Sequence, residues 1–143
     1  QLISAGIAGV KAADPSIIIM LNIALGGQND ESVFFIDQMI KRQVHFDVIG
    51  LSYYPKWHGT LADLRDNMND LVRRYNKDLI VVEYSALKKE VNKIAFELPE
   101  GKGKGTCIWE PLNTWESFFD KEGNSNKYLK MYDEISKEYM LSK

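Results

Sequence analysis

Glu83 closes a short apolar run, Leu79-Ile80-Val81-Val82, where the chain turns polar again at Tyr84-Ser85. Enzymes built on parallel strands keep their catalytic groups at the C-terminal ends of such buried runs. The pattern recurs at Thr106-Cys107-Ile108-Trp109, followed by Glu110-Pro111. Two consecutive strand ends, each with an acid and one with an indole, suit a sugar-binding cleft better than a packing solution. A carboxylate serves as nucleophile, acid or base, and an indole offers a flat apolar face to the CH side of a pyranose ring. Trp57 and His58 fall in a polar loop after a third apolar run, and Trp115 in a similar loop after Glu110. A tryptophan in a polar loop reads as binding surface rather than core.

The elements that must position these groups alternate between two rhythms. Ile3, Gly6, Ile7 and Val10 open with helical spacing, and Ile17 to Leu21 reads as a fully buried strand ending at Asn22. Asn29-Asp30-Glu31 starts a helix carried by Val33, Ile36, Ile40 and Val44. Phe46 to Leu51 is a second strand, with Tyr53 turned to the core by alternation. Thr60 caps a helix marked by Leu61, Leu64, Met68, Leu71 and Tyr75. Leu79 to Val82 is a third strand and Lys88 to Leu98 a shorter helix. Gly101, Gly103 and Gly105 punctuate a turn before a fourth strand at Thr106 to Trp109, and Tyr128, Met131, Ile135 and Tyr139 make a closing helix. Alternation of this kind is the unit of a parallel sheet covered by helices.

Two architectures fit four such units: a small open doubly wound sheet, or the C-terminal half, strands five to eight, of a (β/α)8 TIM barrel. All four strand ends carry polar or aromatic groups, and a barrel rings such groups around one mouth. Residues 1–143 are therefore read as a single α/β unit, half of a catalytic barrel, with the N-terminal half absent.

Composition narrows the classes further. The chain has 143 residues, 18 basic against 20 acidic, for a net charge of −2. That balance gives no general attraction to nucleic acid or to an anionic membrane, and no apolar run approaches the length of a membrane span. Cys107 is the one cysteine, which excludes an internal disulfide, and its apolar strand predicts a buried structural thiol. Gly101 to Gly105 lacks the order of a phosphate-binding loop. No cofactor and no metal are expected. The sequence opens at Gln1 inside a helical pattern, as a cut would, so the lack of a leader is uninformative.

The stretch from Asp47 to Leu61, which includes Ser52-Tyr53-Tyr54-Pro55 and Trp57-His58-Gly59-Thr60-Leu61, resembles the family-53 glycoside hydrolases, as do Val81-Val82-Glu83 and Trp109-Glu110-Pro111. These are arabinogalactan endo-β-1,4-galactanases, retaining enzymes built as (β/α)8 barrels. The resemblance implies that Glu83 is the catalytic nucleophile at the end of strand seven. It implies that Tyr54 hydrogen-bonds that nucleophile, and that Asn22, Trp57, His58, Trp109 and Trp115 contact sugar. The family's acid/base glutamate follows an asparagine at the end of strand four. No Asn-Glu pair occurs in this chain, so that group is expected upstream of Gln1. Asn22 stands where the family often has histidine. The short loop after Ser85 lacks the calcium-binding residues that bacterial members carry there. The implied partners are β-1,4-galactan and arabinogalactan oligosaccharides, and the implied location is secreted or periplasmic. Against this stands a second reading: a non-catalytic half-barrel that binds sugar or self-associates through its exposed edges.

Overall fold

The structure, a computed structural model, describes residues 2–112 and 117–139. Its elements run α1 (Leu2–Ala13), β1 (Met20–Ile23), α2 (Asn29–Lys41), β2 (Val48–Ser52), α3 (Pro55–His58), α4 (Leu61–Tyr75), β3 (Asp78–Tyr84), α5 (Lys88–Phe96), β4 (Gly103–Ile108) and α6 (Lys127–Glu138). All neighbouring strands are parallel, and their spatial order β1-β2-β3-β4 equals their order in the chain. A doubly wound sheet needs a reversal of strand order at a switch point. Here there is none, so the open-sheet alternative falls and the chain has the architecture of half a (β/α)8 barrel.

One face of the sheet is covered by α2, α4 and α5. Ile49, Leu51, Leu79 and Val81 point into that layer and are fully buried, packed with Ile36, Leu64, Met68, Leu71 and Val91. The opposite face is the concave, inner one. Gly50 belongs to it, because a Cβ there would meet Met20 Sδ and the Val82 methyls at 3.2 Å. Cys107 follows Thr106, whose hydroxyl donates to Asn92 of α5, so alternation turns the thiol to the inner face. Cys107 is accordingly exposed, which corrects the expectation of a buried thiol.

The first strand also departs from expectation. It forms at Met20–Ile23, later than the apolar run Ile17 to Leu21. Ile18 is 68% exposed, because β1 is a sheet edge paired on one side only. The fourth strand starts earlier than expected, at Gly103, since Gly103 pairs with Leu79. By contrast α4 spans Leu61–Tyr75 with a capping box at Thr60, whose hydroxyl accepts from the Asp63 amide. This boundary is set locally, by side chains three residues apart.

Asn67 of α4 fastens the loop after β1. It is fully buried. Its amide donates to Gly26 O at 2.7 Å and to Ser32 Oγ at 3.1 Å, while its carbonyl accepts from Asn29 Nδ2 at 3.0 Å. Asn67→Ala leaves these partners unsatisfied and opens a cavity, so we expect a loss of about 2–3 kcal/mol, read as a lower urea midpoint at unchanged slope.

Candidate active site

The polar groups of the inner face gather at the C-terminal ends of the strands, and a β-bulge puts the central one there. In the β2–β3 pairing Leu51 stands opposite Val81, but the next residue, Ser52, stands opposite Glu83. Val82 is the extra residue. Strict alternation from Val81 would turn Glu83 outward into the apolar helix layer. The bulge keeps both Val82 and Glu83 on the inner face and returns Tyr84 to the core, where it is fully buried. The Tyr53 amide donates to Glu83 O at 2.7 Å and fixes this junction.

Both carboxylate oxygens of Glu83 have protein neighbours. The Tyr54 hydroxyl donates to Oε1 at 2.7 Å, and the Ser52 hydroxyl lies 3.4 Å from Oε2. Burial pushes the Tyr54 phenol well above its ordinary range, helped by the hydrogen bond to Glu83 and by the charges of Glu83 and Glu110. Tyr54 therefore keeps its proton at every pH at which a hydrolase works, and is a permanent donor to the carboxylate.

Tyr54 is held by its surroundings. Its ring meets Trp57 edge-on at 6.1 Å and His58 at 5.8 Å. Pro55–His58 forms a single helical turn that the sequence pattern did not reveal. His58 is only 8% exposed, and its Nδ1 faces the Tyr54 amide at 3.1 Å and Ser52 O at 2.9 Å. Deprotonated, Nδ1 accepts from Tyr54; protonated, it donates to Ser52. Either way this nitrogen braces the backbone that presents Tyr54. The loop after β1 packs against the same turn. A Cβ at Gly27 would lie 1.8 Å from His58 O, so only glycine fits.

Trp57 is 59% exposed and Trp109 48% exposed. Neither is core, and Lys56 Nζ lies 5.2 Å from the Trp57 ring. The Trp109 amide donates to Tyr84 O at 2.8 Å, tying the indole's backbone to β3. Glu110 is exposed and adopts a left-handed backbone with φ 41°. Asn22, on β1, points to the same inner face and donates through Nδ2 to Ser52 Oγ at 3.2 Å. Trp115 lies outside the described residues.

Ser52 is the member of this cluster that the sequence reading passed over. The alternation that separated Tyr53 from Tyr54 also puts Ser52 on the Tyr54 side. That was the available signal. Among the described residues no group of three or more histidine, cysteine or acidic side chains is placed to hold a metal, and no helix is long and apolar enough to cross a membrane.

Comparison with known proteins bears on this geometry. An uncharacterised protein of Niallia circulans is 40% identical, over 77% of this chain and 39% of its own length. Arabinogalactan endo-beta-1,4-galactanase A of Emericella nidulans is 31% identical, over 78% of this chain and 41% of its own. The chain thus spans about two fifths of these relatives. The solved Ignisphaera aggregans GH53 catalytic domain superposes with a TM-score of 0.83 at 26% identity, over 92% of this chain and 50% of that one. The profile of Glycosyl hydrolase family 53 matches residues 1–102. By that match this chain belongs to glycosyl hydrolase family 53.

Proposed function

We propose that residues 1–143 are one α/β unit, supplying the nucleophile half of a retaining endo-β-1,4-galactanase. Its substrates are the galactan and arabinogalactan side chains of pectin, and it acts outside the cytoplasm, secreted or in a periplasm. Family membership and the name of the Emericella nidulans relative, an arabinogalactan endo-beta-1,4-galactanase, support the substrate class. The observation that carries the chemistry is Glu83, turned into the cleft by a bulge with Tyr54 donating to Oε1 at 2.7 Å.

In this reading a Glu83 oxygen attacks the anomeric carbon while the glycosidic C–O bond breaks, and the leaving oxygen takes a proton from a second carboxyl group. Water, deprotonated by that same group, then displaces Glu83, and two inversions give net retention. The second carboxyl must lie about 5–5.5 Å from the first. We assign it to strands of the barrel outside this sequence, because Glu110 stands on β4's end beside Pro111 and no Asn-Glu pair is present. Residues 1–143 alone then leave β-1,4-galactan intact. Clear turnover by a monomer of this chain would make Glu110 the acid/base instead.

The exposed indoles are the sugar platforms. Trp109→Ala in the intact protein is expected to raise KM and lower kcat together, up to about 10-fold in kcat/KM, since an aromatic ring contact contributes roughly 0.5–1.5 kcal/mol. An unchanged enzyme would return Trp109 to a packing role. The proposed reaction itself is tested by proton NMR during hydrolysis of β-1,4-galactan. The β-anomer of the new reducing end should appear first, and a first-formed α-anomer would contradict retention.

A second reading has its own observation. The two edge strands, β1 and β4, are each paired on one side, and Leu2 and Ile18 are largely exposed. A self-associating, sugar-binding half-barrel would give a dimer by light scattering that binds galacto-oligosaccharides without cleaving them in any context.

A further inference from the structure

Ser52 is 4% exposed, and its single hydroxyl proton has two acceptors within reach. Glu83 Oε2 and Asn22 Oδ1 both lie 3.4 Å from Oγ, while Asn22 Nδ2 sits at 3.2 Å. The three residues come from the adjacent strands β1, β2 and β3, and Asn22 pairs with Gly50 one pleat below Ser52. A hydroxyl has one proton to give and two lone pairs to receive with. When Asn22 presents its amide N–H to Oγ, the Ser52 proton is free for the carboxylate. When Asn22 presents its carbonyl instead, it competes with Glu83 for that proton. An ionised carboxylate is the stronger acceptor, but at equal distance the amide's orientation decides how fully the proton is committed.

Asn22 is exposed to the cleft, so its amide is also what a bound sugar meets first on β1. We propose that Ser52 is a positioning residue that couples Asn22 to Glu83. A sugar hydroxyl donating to Asn22 Oδ1 holds the amide with Nδ2 toward Ser52. That commits the Ser52 proton to Glu83 Oε2, and the carboxylate, anchored at Oε1 by Tyr54, is locked in its attacking rotamer. The inference rests on Glu83 being the nucleophile. It adds that occupancy of the cleft on β1 sets the nucleophile's orientation on β3 through one buried hydroxyl, with no change of backbone.

The test is a double-mutant cycle in the intact protein, measuring kcat and KM on 4-nitrophenyl β-galactobioside, with Glu83→Ala as control. Ser52→Ala should lower kcat about 10-fold with KM nearly unchanged, the loss of one hydrogen bond to a charged group. Ser52→Thr, which keeps the hydroxyl, should recover most of that rate. Asn22→Ala should lower kcat and raise KM, because it loses the sugar contact as well. The kcat of the double variant should equal that of Ser52→Ala, since the two residues act through one proton. Additive losses in kcat, or a Ser52→Ala enzyme with wild-type kcat, would overturn the coupling while leaving Glu83 in place. An active Glu83→Ala control would remove the nucleophile assignment and the coupling with it. Should Ser52→Ala fail to fold by circular dichroism, the exposed Asn22→Ala variant decides: unchanged kcat there refutes the relay.

Discussion

Glu83→Ala is expected to abolish hydrolysis of β-1,4-galactan by the intact protein, by a factor on the order of 10⁴ or more, as removal of a covalent nucleophile does elsewhere. The variant should fold, because Glu83 is only half-buried and its carboxylate serves no salt bridge among the described residues. Alanine leaves a space beside the anomeric carbon on the face that the carboxylate occupied. Azide can enter it, attack in place of the carboxylate and release an α-galactosyl azide, restoring a slow reaction. That product has the opposite anomeric configuration to the wild-type product, so its identification separates a missing nucleophile from a merely damaged site. A variant with near-full activity would show that the carboxylate at the end of β3 does not carry the chemistry.

Tyr54→Phe should lower kcat roughly 10- to 150-fold with little change in KM or stability. The hydroxyl donates to a charged acceptor at 2.7 Å, and such a bond contributes about 1.5–3 kcal/mol. Each 1.36 kcal/mol corresponds to about a factor of ten in rate. Its removal leaves the phenyl ring, and hence the edge contacts with Trp57 and His58, in place. The deficit should be constant across the pH range of activity, because the phenol is held far above its ordinary range and stays protonated throughout. A deficit that vanished at one end of that range would mean that the hydroxyl acts by titrating, not by donating.

What the sequence revealed and what it hid divide along a physical line. Helix α4 and its Thr60 cap were legible because helical spacing and a capping box are local, fixed by residues three or four apart. Glu83 was legible as a strand-end group, since it follows a continuous apolar run, and Tyr54 through its place in Ser52-Tyr53-Tyr54-Pro55 where the second strand ends. The bulge at Val82 was not, because it exists only in the pairing of β2 with β3, which links residues some thirty positions apart. Without it, simple alternation would have sent Glu83 into the helix layer, so the residue was legible in the sequence but the device that makes it accessible was not. Ile17 and Ile18 look like core by composition, yet they precede an edge strand and stay exposed. Cys107 misled in the same way: an apolar strand has two faces, and only one of them here is covered by helices. The bracing contacts of His58 Nδ1 were hidden too, because they exist only once the turn that carries it has formed.

The central claim is that Glu83 forms the covalent glycosyl-enzyme. Treating the intact protein with an activated 2-deoxy-2-fluoro-β-galactobioside and mapping the adduct by peptide mass spectrometry tests it most directly. One fluoroglycosyl group per protein is expected, borne by the peptide that contains Glu83 and absent from Glu83→Ala. An adduct on any other carboxylate, Glu110 included, or inactivation without an adduct, would contradict it.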